Sequence, residues 1–212
     1  MYSVIILCAG KGTRTGLSYN KMLYRFENGR TVYEMTLDHF INDCLCGQVI
    51  VVTQPYERDA FQKLYSYDKI EFVNGGKERQ DSVYEGLKKA KCQYVLIHDG
   101  ARPFVKDEHI HLLLDCLKEH KACLLMVPCK DTIKEVQDGK IVKTLKRETL
   151  MQAQTPQAFD RELITYAYQQ GIENHFQATD DAQMVEVFTQ EDVYVVIGDY
   201  ENKKITTQED LQ

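Results

Sequence analysis

The residues best suited to chemistry stand at one strand-to-loop junction. The apolar run Ser3-Val4-Ile5-Ile6-Leu7-Cys8-Ala9 leads into Gly10-Lys11-Gly12-Thr13-Arg14-Thr15-Gly16, and Lys21 follows soon after. A strand that ends in small residues brings bare backbone N–H groups against an anion. Arg14 and Lys21 set full positive charges beside that cradle, an arrangement that suits the phosphates of a nucleoside triphosphate. Two better-known loops do not fit. A Walker A loop needs Lys-Ser or Lys-Thr after its last glycine, and neither follows Gly16. A dinucleotide fingerprint places its third glycine one residue earlier and wants a carboxylate about 20 residues on. The next apolar run, Val49–Gln54, comes late and ends without one. A plain tight turn from strand to helix is the other reading of these glycines.

Further charged groups stand at the ends of other apolar runs. Gly75-Gly76-Lys77-Glu78-Arg79-Gln80-Asp81-Ser82 follows the run ending at Val73. Its glycines permit close backbone approach, and Asp81 and Ser82 could read a polar base edge or simply cap a helix entry, the preferred reading of this segment alone. His98-Asp99-Gly100-Ala101-Arg102-Pro103-Phe104 ends a run too apolar for a surface strand. A lone Asp there can hold Mg²⁺ on a triphosphate, because Mg²⁺ takes most of its ligands from phosphate and water. A turn Asp bonded to nearby backbone is the alternative. Nothing near His98 completes a nucleophile–base–orienter set, so it reads as structural. Arg147 leads into Gln154-Thr155-Pro156-Gln157-Ala158-Phe159, Thr179 reads as the N-cap of a helix at Asp180-Asp181-Ala182, and Lys203-Lys204 stand near the end. Basic residues at separate strand ends can converge on one anionic substrate.

The elements that must position these groups alternate along the chain. Strands are predicted at Val4–Leu7, Val49–Thr53, Ile70–Val73, Tyr94–His98, Cys123–Val127 and Val193–Ile197. Helices are predicted at Thr31–Asn42, Tyr56–Tyr65, Gln80–Ala90, Asp107–His120, Arg161–Gln169 and Asp180–Phe188. Alternation of this kind predicts an α/β domain, a mostly parallel sheet covered by helices, with ligands at the carboxyl ends of the strands. One segment breaks the pattern. Thr132–Val136 and Ile141–Leu145 flank Gln137-Asp138-Gly139-Lys140, a strong hairpin signal. A hairpin of this length is marginal alone in water, so it wants a partner. That partner is either a second subunit or an edge of its own domain.

The chain has 212 residues, 43% of them hydrophobic, and a net charge of −6. That supports one domain, 1–212, with a β-arm at about 128–147, and argues against bulk electrostatic binding of nucleic acid. No apolar stretch reaches membrane-span length, and no signal peptide is read at the start. The seven cysteines, Cys8, Cys44, Cys46, Cys92, Cys116, Cys123 and Cys129, are odd in number and scattered. They predict reduced, mostly buried thiols in a cytoplasmic protein, and no zinc site.

In order along the chain, AGKGTRTG, Lys21, GGKERQDSV, HDGARPF, KDTIK, RETLMQAQTPQAF, TDDA and NKKITTQEDL resemble the 2-C-methyl-D-erythritol 4-phosphate cytidylyltransferases of the non-mevalonate isoprenoid pathway. The resemblance covers almost the whole chain. It implies a Rossmann-like nucleotidyltransferase fold with a protruding β-arm that clasps a second subunit, and Mg²⁺ as cofactor. The implied reaction transfers CMP from CTP to methylerythritol phosphate with release of pyrophosphate. It assigns Arg14 and Lys21 to the CTP phosphates and the transition state, and the backbone of Ala9, Gly10 and Gly12 to the nucleotide. Gly76, Lys77, Ser82 and Thr155 would border the nucleotide, and Asp99 would bind Mg²⁺. Arg147 and Lys204 would position the acceptor, while Arg102 and Thr132 would reach the acceptor of the neighbouring subunit.

The chain departs from the family pattern at several positions. Asn20 stands where Pro usually precedes the lysine, which predicts a looser loop because the fixed φ of Pro is absent. Thr15 replaces Met, Met151 replaces Trp, Asp181 replaces Glu, and relatives usually continue past the position of Gln212 as a helix. The nearest competitor is the ribitol 5-phosphate cytidylyltransferase family. It more often carries Asp-Arg-Asn after the Gly-Gly, Val before Arg-Pro-Phe, and Thr-Asp-Ala-Cys. Glu78-Arg79-Gln80, Ala101 and Asp180-Asp181-Ala182 favour methylerythritol phosphate. A binding module or oxidoreductase on a nucleotide fold is the third reading.

Overall fold

The computed structural model describes residues 1–10, 15–65 and 67–211. The predicted alternation is present. Strands β1 (Tyr2–Leu7), β2 (Cys46–Thr53), β3 (Ile70–Asn74), β4 (Tyr94–Asp99), β5 (Ala122–Pro128), β8 (Met151–Asp160) and β9 (Tyr194–Ile197) build a seven-stranded sheet ordered β3-β2-β1-β4-β8-β5-β9. The β1–β2, β1–β4, β2–β3 and β5–β9 pairs are parallel. Only β8 runs against its neighbours, β4 and β5. This is a mostly parallel α/β sheet, as expected, with one antiparallel strand between the two parallel blocks.

Helices cover both faces. On one side lie α1 (Val32–Ile41), α2 (Arg58–Leu64) and α4 (Asp107–Cys116); on the other lie α3 (Arg79–Leu87), α5 (Arg161–Glu173) and α6 (Asp181–Phe188). Period-two alternation explains the split. Val4 and Ile6 of β1 pack with Leu37 and Phe40 of α1, while Ile5 packs in the opposite cluster with Val83 and Leu87 of α3. No helix among the described residues is long and apolar enough to cross a membrane.

Three expectations need correction. The strand β8 was not predicted, because its inner end reads Gln154-Thr155-Pro156-Gln157, which is polar and contains Pro. The α6 N-cap is Asp180, whose carboxylate accepts from the Gln183 N–H; Thr179 bonds instead to the Gln183 side chain. The cysteines are less buried than expected. Cys8, Cys46 and Cys123 are buried, Cys92, Cys116 and Cys129 are half-buried, and Cys44 is exposed.

The hairpin is real and stands apart. Strands β6 (Lys134–Gln137) and β7 (Lys140–Thr144) form their own two-stranded sheet, paired with no strand of the main sheet. Asp138 and Gly139 both take positive φ, 49° and 75°, as a tight two-residue turn between twisted strands requires. Every residue of both strands is exposed, including Val136, Ile141 and Val142. The arm is thus not an edge packed on its own domain.

Candidate active site at the carboxyl edge of the sheet

A cleft of about 460 Å³ opens past the carboxyl ends of β1 and β4. Such an edge is where open α/β sheets hold their ligands. The exit of β1 lines it with Ala9 and Gly10, and the next turn adds Lys21. The loop from β3 into α3 contributes Gly76, Lys77, Arg79 and Ser82, while β4 ends in Asp99 and the last segment brings Lys204. Eight of the residues singled out from the sequence therefore share one wall, although they span the chain from Ala9 to Lys204. Gly12 and Arg14 lie outside the described residues.

The loop after β3 owes its shape to its own polar groups. The Ser82 hydroxyl accepts from the Gly76 N–H and donates to the Glu78 carbonyl, both at 3.1 Å. The Asp81 carboxylate accepts from the Glu78 N–H at 3.0 Å. A Cβ on Gly76 would lie 2.2 Å from Cβ of Asp81, so a glycine is needed for the loop to fold back on α3. Asp81 and Ser82 thus build a helix entry while Ser82 also faces the cleft.

Asp99 is the electrostatic centre. Its Oδ2 accepts from Lys204 Nζ at 2.6 Å and lies 4.0 Å from Arg102 Nε; its Oδ1 lies 3.4 Å from Arg79 Nε. Burial alone would raise its pKa. The nearby cations outweigh burial, Arg79 most and then Lys204 and Arg102, and hold the carboxyl well below its usual range. Asp99 is therefore an ionised, hard oxygen donor on the cleft wall. Among the described residues no group of three or more His, Cys, Asp or Glu gathers to hold a metal by protein ligands alone. The donor set fits a cation such as Mg²⁺ that needs one carboxylate and takes the rest from phosphate oxygens and water.

Arg79 was quoted within a motif but given no role by sequence reasoning. It makes a two-pronged pair with Asp181, Nη1–Oδ1 at 2.8 Å and Nη2–Oδ2 at 2.7 Å. Asp181 is fully buried and also accepts from the Tyr168 hydroxyl at 2.5 Å. Burial pulls the Arg79 pKa down, but Asp181 and then Asp99 outweigh it and hold the guanidinium firmly charged. The fork geometry anchors α6 to the start of α3 and leaves Nε beside Asp99. The only sequence signal was an acidic residue at a helix start.

Behind Asp99 runs a buried polar relay. The Asp99 N–H donates to Thr155 Oγ1 at 3.0 Å, the Thr155 hydroxyl reaches His98 Nδ1 at 3.1 Å, and His98 Nε2 donates to the Arg102 carbonyl at 3.1 Å. The carbonyl can only accept, which fixes the neutral tautomer with its proton on Nε2. Burial drives the His98 pKa down to about 3, with Asp99 only partly offsetting it. His98 is a structural group, as its sequence setting suggested. Thr155 is buried in β8 and sets the backbone of Asp99 rather than lining the cleft.

The remaining candidates lie off the cleft wall of this chain. Arg102 turns its Nη1 to the Asn202 carbonyl at 2.6 Å. Thr132 and Arg147 are exposed at the root of the arm, where Arg147 Nη1 donates to the Lys130 carbonyl at 3.1 Å. Of the two cations expected to position the acceptor, Lys204 lines the cleft on Asp99, while Arg147 is bonded at the root of the arm and is not among the cleft-lining residues. Asn20 also behaves otherwise than expected. It is 5% exposed and bonds to Met22, Cys8 and Glu57, so the segment is tied down rather than loosened.

Comparison with known proteins identifies the family. Residues 2–212 match the family model for IspD, 2-C-methyl-D-erythritol 4-phosphate cytidylyltransferase. A protein of that name from Clostridioides difficile is 43% identical, covering 100% of this chain and 91% of the relative. One from Bacillus pumilus is 41% identical over 99% of this chain and 93% of the relative. The crystal structure of 4-diphosphocytidyl-2C-methyl-D-erythritol synthase from Anaerococcus prevotii superposes with a TM-score of 0.87 at 36% identity, covering 99% of this chain and 92% of that one. A Francisella tularensis 2-C-methyl-D-erythritol 4-phosphate cytidylyltransferase gives 0.86 at 33% identity, over 99% and 95%. With its fold, its cationic cleft and a match along nearly its full length, the chain belongs to the 2-C-methyl-D-erythritol 4-phosphate cytidylyltransferase family, IspD.

Proposed function

We propose that the chain transfers CMP from CTP to 2-C-methyl-D-erythritol 4-phosphate. The products are 4-diphosphocytidyl-2-C-methyl-D-erythritol and pyrophosphate. The observation that carries this reading is the gathering of Lys21, Lys77, Arg79 and Lys204, against Asp99 and Glu78, in one cleft of a chain whose net charge is −6. A local excess of cations in an acidic protein fits a small, highly charged anion.

The acceptor phosphate oxygen attacks the α-phosphorus in line. A new P–O bond forms as the bond to the β-phosphate breaks, and pyrophosphate leaves with the electron pair. A phosphate monoester is mostly dianionic near neutral pH, so no general base is needed. His98, neutral and buried behind Asp99, is not placed to be one. Lys21 and Lys204 hold and orient phosphate oxygens, and the backbone of Ala9 and Gly10 borders the nucleotide. Catalysis is then positioning and charge neutralisation. When bound, Mg²⁺ at Asp99 would supply further neutralisation of the phosphates.

The exposed arm, with Val136, Ile141 and Val142 uncovered, supports a homodimer joined through it. Thr132 and Arg147 at its root would then serve a site shared between subunits. The relatives' names favour methylerythritol phosphate over ribitol 5-phosphate. The deciding experiment supplies CTP with each acceptor and follows pyrophosphate release. A higher kcat/KM for methylerythritol phosphate is expected. The reverse preference would overturn the acceptor, and no release with either would overturn the reaction.

A further inference from the structure

We propose that Asn20 and Glu57 form a clamp that positions Lys21 for the transfer. The inference rests on the reading of Lys21 as a phosphate ligand. Asn20 precedes the single helical turn Lys21–Leu23, and its side chain joins three separate segments. Its Oδ1 accepts from the Met22 N–H at 3.0 Å, inside the turn that carries Lys21. Its Nδ2 donates to the Cys8 carbonyl at 2.8 Å, at the exit of β1, and to Glu57 Oε2 at 3.0 Å, in the turn after β2. The carbonyl and the carboxylate can only accept, and the Met22 N–H can only donate, so the amide orientation is fixed by its partners.

The same turn after β2 supplies a second amide. Gln54 Nε2 donates to the Ala9 carbonyl at 3.0 Å. Two successive carbonyls at the mouth of the glycine loop are therefore held by side chains from outside it. A carbonyl oxygen turned into the cleft would carry partial negative charge toward a phosphate; held this way, it cannot swing there. Beyond Asn20, Lys21 Nζ donates to the Ile205 carbonyl at 2.6 Å, next to Lys204. Lys21 is thus fixed at its backbone by the clamp and at its tip beside the other phosphate-facing lysine.

The backbone of Asn20 suggests how to separate positioning from mere folding. Its φ is −62° and its ψ is 122°, values that a proline adopts without strain. A proline there would preset the same chain direction with no carboxamide, and so with no need of Glu57.

The test uses the full chain with five changes: Asn20→Ala, Asn20→Pro, Glu57→Ala, Glu57→Ala in the Asn20→Pro background, and Lys21→Ala. Asn20→Ala and Glu57→Ala should lower kcat about ten- to a hundredfold, the scale of a small misplacement of a reacting group, with KM for CTP moving less than ~3-fold. Asn20→Pro should restore kcat to within ~3-fold of the parent, and Glu57→Ala should then cost nothing further. If Asn20→Ala does not fold, Glu57→Ala in the two backgrounds decides alone. Equal losses from Glu57→Ala in both backgrounds, losses confined to KM, or parental kcat in both single variants would overturn the clamp. Parental kcat in Lys21→Ala would instead overturn the reading of Lys21 on which the clamp rests.

Discussion

Lys204 Nζ sits 2.6 Å from Asp99 Oδ2, so the cleft's carboxylate is held by a residue more than a hundred positions away in the chain. On the proposed reading, the ammonium sits on an oxygen that would otherwise be open to Mg²⁺. Lys204→Ala should therefore strengthen divalent-cation binding to the nucleotide-free protein while slowing transfer to the acceptor. Mn²⁺ titration followed by electron paramagnetic resonance checks the first effect, and steady-state rates check the second. Weaker Mn²⁺ binding in the variant would remove Asp99 Oδ2 as the metal's ligand.

Lys21 lines the cleft, and on the proposed reading its contacts to the phosphates tighten as charge builds on the leaving group. Lys21→Ala should lower kcat by about 10²-fold or more, with CTP affinity changed far less. Asp99→Ala should likewise abolish most Mg²⁺-dependent turnover. Calorimetric binding of CTP beside turnover separates the two quantities. A loss in affinity alone would make Lys21 a ground-state binder.

The Arg79–Asp181–Tyr168 cluster ties the site to α6. Asp181→Asn leaves Arg79 without its buried partner and should destabilise by an amount near the lower end of about 3–5 kcal/mol, since Arg79 keeps some solvent contact. Tyr168→Phe removes one bond to the same carboxylate and should cost less, about 1.5–3 kcal/mol. Urea midpoints at constant m-value give both. A larger loss in Tyr168→Phe than in Asp181→Asn would contradict this ordering.

Acid should weaken the fold through His98. Its folded pKa is about 3, below the ordinary 6.5, so the unfolded chain binds the proton first as pH falls. The stability linked to neutral His98 is complete above about pH 6.5 and is lost as pH drops toward 3, with a slope of up to about 1.4 kcal/mol per pH unit. His98→Gln, which keeps a donor for the Arg102 carbonyl, should lose less stability than the parent between pH 7 and pH 5. Thermal melts across that range measure the difference, and identical slopes would show that His98 titrates normally.

The arm exposes Val136 and Ile141 at 57% and 65%, and among the described residues its strands pair only with each other. If it clasps a second copy, Ile141→Asp should shift a dimer toward monomer and lower activity together. Sedimentation velocity of parent and variant reads this directly. A parent that is monomeric and fully active would leave the arm without that role.

Much of this architecture was legible in the residue order. The buried stretches of β1, β2, β4 and β5 are apolar runs, which is what burial on both faces of a parallel sheet demands, and strand ends pointed to Gly10, Asp99 and the loop after Val73. Asp138-Gly139 announced its turn because few pairs accept two positive φ values in succession. These are local requirements, set by sterics and by solvent within a few residues.

What only the tertiary structure decided is what depends on distant partners. Strand β8 is hidden in the sequence because Gln154 and Gln157 are polar. They can be buried because Gln154 donates to the Asp199 carbonyl, and Gln157 bonds to Asp180 and accepts from the Ala182 N–H. The role of Arg79 was invisible for the same reason: its partner Asp181 lies 102 residues on. The bonds that Asn20 makes to Cys8 and Glu57, and the bond of Arg147 to Lys130 at the root of the arm, likewise follow from how the elements pack. A buried polar group is stable only when every partner is in place, and spacing along one chain does not show which groups the fold will bring together.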